Sequence, residues 1–332
     1  MDTNSQIYRS CIYCLWKNLK SRLRIINIDK PKGWTSFDVV RLIKRKFKEN
    51  KVGHLGTLDP MATGVLPVFL GKATRLIPLF NESDKTYRAV CKFGESTDTF
   101  DAEGSVTNTC ETRYLNSEEI KKSVKLFQGE QLQETPAFSA TKINGIPAYK
   151  LARQGLEIPN KTKSVIFHEL IVESIDLPYV QIQVHCSKGT YIRSFANDLG
   201  HLLKVGAHLT SLERLSCGEW FRTDNSVSVE KLGKINMENK LPWICPSEIL
   251  KHFYTLAASS RMVADIKHGR AVQISEMTCI NENLENTEKK YFTKENTPKQ
   301  AKVTDSSQNL VAIGQIIWEN NRNYFKPSKV FI

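Results

Sequence analysis

The sequence has no run of about 18 apolar residues, the length that a helix needs to cross a membrane. Residues 1–22 also lack the long apolar stretch and the small-residue cleavage site of a secretory signal. We therefore expect no membrane partner and a cytoplasmic location. We also expect residues 1–22 to be a flexible N-terminal extension.

Cysteine forms no pattern typical of a metal site. Of the eight cysteines, only Cys11 and Cys14 have the C-x-x-C spacing, and no second pair completes a set of zinc ligands. The phosphate-binding loop G-x-x-x-x-G-K-[ST], the nucleophile elbow G-x-S-x-G and the zinc motif H-E-x-x-H are absent as well. The sequence thus predicts reduced thiols and no metal. It also speaks against a P-loop nucleotide hydrolase, an α/β-hydrolase and a zinc metalloprotease.

Acidic residues are in the minority. The chain has 35 Asp and Glu residues against 47 Lys and Arg residues, which gives a net charge of +12. Such an excess favours a polyanionic partner such as nucleic acid. A solvated basic surface without a partner is the alternative that charge alone leaves open.

Strand and helix patterns occur without the regular alternation of a doubly wound fold, so the sequence predicts an α+β protein. Residues 180–186 alternate between apolar and polar side chains, which is typical of a half-buried strand. Another pattern predicts a helix that ends near Phe47. Its expected cap is Ser36 or Asp38, and Phe37 is expected on its buried face.

The length of 332 residues suits about two domains. The change in composition along the chain places them at residues 23–250 and 251–332. Within the second domain, residues 281–307 are polar and contain few apolar side chains. We expect that segment to be a flexible insertion, because it cannot bury enough apolar surface to order itself.

The stretch from Lys51 to Leu76 contains a single acidic residue, Asp59, in a run rich in glycine and proline. Lys51, Lys72 and Arg75 lie near it in the sequence, and nearby cations favour an ionised carboxylate. Glycine and proline restrict the choice of backbone conformations, so such a loop can hold a side chain rigidly. The carboxylate could then act as a nucleophile or base. A simple Asp-Pro turn is the alternative.

For two further side chains the sequence leaves a functional and a structural interpretation open. Tyr87 lies between cations on a predicted strand, where it is either half-buried core or a stacking platform for an unstacked base. Arg193 opens a predicted helix, where an arginine can pair with a carboxylate or lie free on the surface.

Several motifs, taken in their order along the chain, resemble those of the TruB family of pseudouridine synthases. The Asp59 segment reads GHLGTLDP, followed by ATG and LP, and resembles the active-site signature of that family. Further similar segments are residues 29–36, 85–88, 94–104, 136–159, 186–200 and 206–215. The resemblance covers about residues 24–220, and the tail resembles more weakly the family's PUA-type RNA-binding domain.

The resemblance implies a pseudouridine-synthase fold, with a central mixed, mainly antiparallel sheet flanked by helices and a small C-terminal PUA-like β domain. It implies that the protein isomerises uridine-55 in the T loop of tRNA to pseudouridine. In that reaction the glycosidic bond breaks, the base rotates, and a carbon–carbon bond forms. An isomerisation of this kind needs no cofactor, and we expect a monomer whose partner is the T-arm stem-loop of tRNA.

The resemblance also assigns roles to single residues. Asp59 is the expected nucleophile, Arg193 its expected partner, and Tyr87 the expected stacking residue and possible base. Whether Asp59 attacks the base or the sugar is left open. The remaining matched residues are expected to contact the extruded nucleotides: His54, Tyr191 and Leu212.

One position departs from the family pattern. Where the family commonly has two arginines after Leu212, this chain has Glu213 and Arg214, which puts one contact in question. Two alternative functions stay open, a guide-RNA-dependent pseudouridine synthase and a tRNA-binding folding chaperone without catalysis. Turnover on a bare T-arm hairpin speaks against the first, and a loss of function in Asp59→Asn speaks against the second.

Overall fold

The computed structural model describes residues 23–136, 138–139, 142–143, 145–152, 154–156, 159, 161–234, 241–279, 300–320 and 322–332. The chain divides into two compact units. The large unit comprises Ile26–Phe69 and Leu76–Pro242, and the small unit comprises Leu70–Arg75, Trp243–Ile332 and the described residues up to Ile25. The expected extension 1–22 and most of the expected insertion lie outside the described residues.

The strands before residue 242 are β1 (Arg24–Lys30), β2 (Val52–His54), β3 (Thr63–Leu70), β4 (Lys85–Phe93), β5 (Glu95–Thr97), β6 (Val106–Thr109), β7 (Gly129–Glu134), β8 (Lys142–Ile143), β9 (Ile146–Pro147), β10 (Thr162–Asp176), β11 (Tyr179–Cys186), β12 (Ala207–Cys217), β13 (Phe221–Arg222) and β14 (Val227–Ser228). The α-helices are α1 (Ser36–Phe47), α2 (Ser117–Lys125), α3 (Ala148–Ala152), α4 (Ile192–Leu202) and α5 (Val229–Lys234). Short 3₁₀ helices span Gly71–Leu79 and Thr223–Asn225.

Ten of these strands form one sheet, in the order β14–β1–β3–β12–β4–β11–β10–β7, with β2 beside β3 and β13 beside β12. The pairs β1–β14 and β3–β12 are parallel. The successive pairs from β12 through β4, β11 and β10 to β7 are antiparallel. The expected mixed, mainly antiparallel sheet is confirmed.

The main core lies on one face of the large sheet, because side chains of a strand alternate between its two faces. Along β4, buried and half-buried side chains alternate, and the buried set packs in the main core. Helix α4 covers this core, and the ring of its Phe195 lies edge-on to Phe127 with 5.3 Å between centroids. A Cβ at Gly200 would overlap the backbone of Gly206 and Ala207. Glycine there lets α4 approach the start of β12 closely, and both elements carry site residues.

The start of α1 differs from the expectation. Thr35, rather than Ser36 or Asp38, is the N-cap: its side chain accepts a bond from the Asp38 N–H, and the Asp38 carboxylate accepts one from the Thr35 N–H. This is a capping box, which requires Ser or Thr at the cap and an acceptor three residues later. The expected burial of Phe37 is wrong, since that residue is 61% exposed and Val39 takes the buried position.

The small unit contains strands β15 (Tyr254–Ala257), β16 (Val272–Gln273), β17 (Thr278–Cys279), β18 (Ala301–Thr304), β19 (Leu310–Glu319) and β20 (Arg322–Val330), with helices α6 (Pro246–Ile249) and α7 (Ser260–Lys267) and a 3₁₀ turn at Ile274–Glu276. The strands form a second sheet in the order β16–β20–β19–β18–β15–β17. Its apolar side chains make a separate core. The expected small C-terminal β domain is confirmed.

The predicted bounds of the flexible insertion, residues 281–307, are too wide at their C-terminal end. Ala301–Thr304 is a fully buried strand that pairs with β15 on one side and β19 on the other. Four residues inside a polar segment are too short to stand out by composition, and the pairing partners on both sides give them their burial. Within the described ranges, no helix is long and apolar enough to cross a membrane.

Candidate active site

Asp59 lies in the segment between β2 and β3, residues 55–62, which we call the aspartate loop. The side chains on either side of Asp59 anchor this loop, because Leu58 and Met61 are each 4% exposed. The hydroxyl of Ser36 on α1 accepts a bond from the Leu58 N–H at 2.9 Å and donates to the Leu58 carbonyl. The Gly33 N–H donates to the Pro60 carbonyl at 2.8 Å. The Asp59 side chain remains 39% exposed between these fixed points.

The guanidinium of Arg193, in the first turn of α4, orients the Asp59 carboxylate. Arg193 Nε donates to Asp59 Oδ2 at 2.9 Å and lies 3.7 Å from Asp101 Oδ2. Its two terminal nitrogens donate to the carbonyls of Thr99 at 3.3 Å and Phe138 at 2.9 Å. The Arg193 side chain is only 5% exposed, so two carboxylates and two carbonyls replace the water it has lost.

Asp101 is held as firmly as Arg193. The Thr99 hydroxyl donates to Asp101 Oδ1 at 2.6 Å. Asp101 lies in the loop between β5 and β6, and two backbone bonds fasten this loop to β12. They run from the Leu209 N–H to the Phe100 carbonyl and from the Ala102 N–H to the Leu209 carbonyl, and each is 3.0 Å long. The structure therefore places a second, buried carboxylate near the same Arg193 nitrogen that binds Asp59.

Arg214 on β12 holds the aspartate loop through backbone carbonyls. It is 1% exposed, and its Nε donates to the Val65 carbonyl at 2.7 Å. Its Nη2 donates to the carbonyl of Gly56 at 3.0 Å and lies 3.4 Å from that of Leu55. Gly64, with φ of +95°, faces Arg214 in the strand pair, and a Cβ there would overlap the Arg214 backbone. Glycine at this position lets β3 and β12 come together.

Glu213, the departure from the family pattern, belongs to an ion-pair group with Arg88 on the neighbouring strand. Arg88 Nη1 lies 3.3 Å from Glu213 Oε2, and Arg88 Nε lies 2.9 Å from Glu173 Oε2. The buried Arg214 is the next residue along the strand, and successive residues of a strand point to opposite faces. The presence of Glu213 where the family commonly has arginine therefore leaves the contacts of Arg214 with the aspartate loop intact.

Tyr87 lies directly opposite Arg214 in the β4–β12 pair and opposite Val184 in the β4–β11 pair. It is 9% exposed and belongs to the main core. Burial raises the pKa of the Tyr87 phenol well above its ordinary value, although a hydrogen bond from Arg214 acts in the opposite direction. The phenol is therefore neutral at physiological pH.

Of the three remaining predicted residues, Tyr191 and Leu212 lie beside the two arginines in the chain, and His54 precedes the aspartate loop. Tyr191 is the N-cap of α4, two residues before Arg193. Leu212 is buried on β12, two residues before Arg214, and therefore points to the same face of the sheet. His54 ends β2 next to the aspartate loop, and burial together with the charge of Arg214 lowers the pKa of its imidazole. The neutral imidazole is favoured at physiological pH.

Lys30, at the end of β1, is fully buried below the aspartate loop. Its Nζ donates to the carbonyls of Trp34 at 2.6 Å, Pro31 at 3.0 Å and Pro60 at 3.3 Å. Burial lowers the pKa of Lys30 to about 8, and the charge of Asp59 acts in the opposite direction. Lys30 thus binds the carbonyl of Pro60, the residue that follows Asp59.

The cation that contacts Asp59 directly is none of its sequence neighbours Lys51, Lys72 and Arg75. The cation bonded to the carboxylate is Arg193, which lies 134 positions away in the sequence. Neighbours along a chain predict charge contacts only where the local structure is regular, and the aspartate loop is not. The guanidinium that contacts the loop comes from α4, which lies between β11 and β12 in the chain.

Sequence reasoning gives no role to Asp101, although that residue touches the Arg193 guanidinium. Asp101 shares its loop with Asp98 and Glu103, and nothing in the sequence distinguishes these three acids. The one signal in the sequence for Arg214 is its position, because it stands at the second of the two arginines that the TruB family commonly has after Leu212. In the described part of the chain, no group of three or more His, Cys, Asp or Glu side chains could hold a metal ion.

Comparisons with known proteins show which family this chain resembles. The model of the TruB family pseudouridylate synthase N-terminal domain matches residues 44–192. The chain is 42% identical over 246 residues to tRNA pseudouridine synthase B of Geobacter sulfurreducens, which is 74% of this chain and 81% of that protein. It is 37% identical over 298 residues to tRNA pseudouridine synthase B of Solibacter usitatus, covering 89% of this chain and 96% of that protein. The chain belongs to the TruB family.

Solved structures resemble this TruB-family chain at lower identity. The crystal structure of the archaeal box H/ACA sRNP Nop10–Cbf5 complex matches with a TM-score of 0.64 and 24% identity, over 95% of this chain and 88% of that chain. An H/ACA RNP bound to a substrate RNA containing 2′-deoxyuridine matches with a TM-score of 0.65 and 23% identity, over 93% and 85%. At these identities the likeness establishes the fold alone. The family resemblance read from the motifs is confirmed by the relatives above.

The low pKa of Lys30 generates a prediction about stability. Below pH 8 the lysine is protonated in both folded and unfolded chains, and its contribution is constant. Between pH 8 and 10.5 the unfolded chain binds a proton that the folded chain does not, so stability rises with pH. The unfolding free energy of the wild type, relative to Lys30→Met, should rise over this interval by up to about 3 kcal/mol. Denaturant unfolding of both proteins across this range measures the difference.

The control is Lys32→Met, which removes an exposed lysine two residues away. Its unfolding free energy should differ from that of the wild type by the same amount at every pH. A Lys30→Met curve that also runs parallel to the wild type would show that Lys30 keeps an ordinary pKa in the folded protein.

Proposed function

We propose that this protein isomerises uridine-55 in the T loop of tRNA to pseudouridine, and that Asp59 is its nucleophile. The observation that carries the proposal is the Asp59–Arg193 bond of 2.9 Å, which joins a half-exposed carboxylate to a buried guanidinium in a TruB-family chain. Relatives that share most of this chain's length are named tRNA pseudouridine synthase B.

The target uridine must leave its RNA stack before a carboxylate can reach it, at a cost of a few kcal/mol. The bond between C1′ and N1 of uridine then breaks, the detached uracil turns, and a bond forms between C1′ and C5. The hydrogen on C5 is released as a proton, and N1 gains one. The atoms of substrate and product are the same, so the residues present need to supply only a nucleophile, a platform and proton transfers.

Arg193 prepares Asp59 for this attack. It binds Oδ2, so we assign the attack to Oδ1 of the same carboxylate. Because the guanidinium is itself fixed by Thr99, Phe138 and Asp101, the carboxylate is oriented before the substrate arrives. Attack on the sugar carbon and attack on the base would both use this oriented oxygen. In either case the bond from Oδ1 to the substrate breaks again before pseudouridine leaves, which restores the carboxylate. Asp101 acts in this scheme as a positioning residue for Arg193.

We assign Tyr87 to stacking on the extruded uracil. Stacking of a base on an aromatic ring is worth about 1–3 kcal/mol. The raised pKa of its phenol argues against a role as a proton-accepting tyrosinate, because the neutral phenol is a weak base. His54, Tyr191 and Leu212 are assigned to the flipped-out nucleotides, since they lie next to the aspartate loop, Arg193 and Arg214 respectively in the chain.

The substrate that we propose is the T-arm stem-loop, bound by a monomer in the cytoplasm. The net charge of +12 supports an RNA partner, because phosphate contacts dominate such binding. We further propose that residues 251–332 contribute RNA contacts as a PUA-like domain and that residues 23–250 carry the chemistry. The separate core of the small unit supports a domain with a function of its own.

The nucleophile assignment predicts the effect of Asp59→Asn. Tritium release from tRNA labelled at C5 of uridine should fall at least about 10³-fold, because an amide is a poor nucleophile. Affinity for the tRNA should change little, since phosphate contacts supply most of it. The control is Asp176→Asn, an exposed aspartate at the end of β10, which should release tritium at the wild-type rate. Normal turnover in Asp59→Asn would remove the basis of the proposed function.

The stacking assignment predicts different effects for two substitutions of Tyr87. Tyr87→Phe keeps the ring and should retain most of the turnover. Tyr87→Leu should lose about 5- to 150-fold, the range that corresponds to stacking worth about 1–3 kcal/mol. Tyr179→Leu, on the exposed start of β11, is the matched control. If Tyr87→Phe loses as much as Tyr87→Leu in single-turnover assays of folded protein, the hydroxyl takes part in the chemistry and stacking is not the role of this residue.

A further inference from the structure

Gln133, near the end of edge strand β7, makes an unusual contact with the start of α4. The Tyr191 N–H donates to Gln133 Oε1 at 2.7 Å, and Gln133 Nε2 donates to the Tyr191 carbonyl at 2.9 Å. The amide orientation is unambiguous, because a backbone N–H only donates and a carbonyl only accepts. Gln133 is 4% exposed, so both bonds form away from solvent.

This contact takes the place of an ordinary helix cap. Tyr191 is the N-cap of α4, and among the described residues its side chain makes no capping bond. The first N–H groups of a helix have no partner within the helix and need one from elsewhere. Gln133 accepts the N–H of the cap residue, which in a capping box is the task of a side chain within the helix itself. The Tyr191 carbonyl also accepts the first intrahelical bond, from the Phe195 N–H at 3.1 Å.

A second bond ties the same two elements together. The Ser194 hydroxyl, 1% exposed, donates to the Glu134 carbonyl at 2.9 Å. Arg193 lies between the two anchored residues of α4, and its own Nη2 donates to the carbonyl of Phe138, shortly after the end of β7. The end of β7 and the segment after it are thus joined to the start of α4 at three residues, Tyr191, Arg193 and Ser194.

We infer that Gln133 is a positioning residue, which fixes the first turn of α4 and thereby the direction in which Arg193 holds Asp59. The inference rests on the proposed function for its effect on turnover, but the clamp itself is a property of the folded chain. Gln133 does not touch Asp59 in this arrangement. It acts through the backbone of Tyr191, so its removal should affect the orientation of Arg193 rather than the charge of the site.

The test compares Gln133→Met with Gln131→Met. Methionine has nearly the length of glutamine but neither donates nor accepts strongly, so it removes both bonds to Tyr191. Gln131 lies two residues earlier on the same strand and the same face, and its amide bonds instead to the Leu126 carbonyl in the turn after α2. Turnover of T-arm RNA by Gln133→Met should fall at least about tenfold below Gln131→Met, because a misplacement of about 1 Å costs up to about 10²-fold.

A second readout does not depend on activity. Amide hydrogen exchange at residues 192–195 should become faster in Gln133→Met, while exchange at residues 199–202 should stay as in the wild type. Equal exchange in Gln133→Met and Gln131→Met would overturn the inference, as would equal turnover. If the wild type shows no turnover at all, the proposed function fails, and the exchange measurement still decides whether the clamp exists.

Gln133→Glu provides a variant with a distinct pH signature. Its ionised carboxylate would accept the Tyr191 N–H but repel the Tyr191 carbonyl, whereas its protonated form can donate to that carbonyl. Turnover relative to the wild type should therefore rise as the pH falls towards the pKa of the new carboxyl, which burial raises. A ratio that stays constant with pH would contradict the positioning role, and this result decides the matter if Gln133→Met does not fold.

Discussion

The guanidinium of Arg193 is a buried cation, and a buried cation is stable only when carboxylates and carbonyls replace its water. In this protein the replacements come from distant parts of the chain: Asp59 from the aspartate loop, Asp101 and Thr99 from the loop before β6, and Phe138 from the segment after β7. Satisfying one side chain therefore fixes three segments relative to one another. The orientation of Asp59 is a consequence of that requirement.

A second set of cations fixes the backbone of the aspartate loop. Arg214 and Lys30 are buried, and they bind carbonyls of the loop and its flanks rather than its carboxylate. Carbonyls can turn inward in this way only if the backbone departs from a regular strand, and glycine at Gly56 and Gly64 permits that departure. The single acid in a basic, glycine-rich stretch is thus explained. The backbone carbonyls of the loop accept hydrogen bonds from the buried cations, and its one carboxylate remains half-exposed.

The parts of this structure that sequence predicts are those with a local cause. The alternation of residues 180–186 reflects one strand with one buried face, and it needs no knowledge of the neighbours. Asp59 stands out because glycine and proline restrict its own loop. Asp101, Arg214 and Gln133 owe their roles to partners at least 58 positions away, and their own surroundings in the sequence carry no sign of those partners. Arg193 was expected as the partner of Asp59 only through the family resemblance.

The central claim is that the fixed carboxylate of Asp59 meets a uridine that has left its RNA fold. A crystal structure of Asp59→Asn bound to a T-arm stem-loop tests it most directly, through the distance from the side-chain oxygen at position 59 to the nearest carbon of the sugar or base of uridine-55. The account predicts an extruded uracil on the ring of Tyr87 and a distance of about 3–4 Å, close to that of a reacting pair. A uridine-55 that stays stacked within the loop, or lies beyond the reach of position 59, would contradict it.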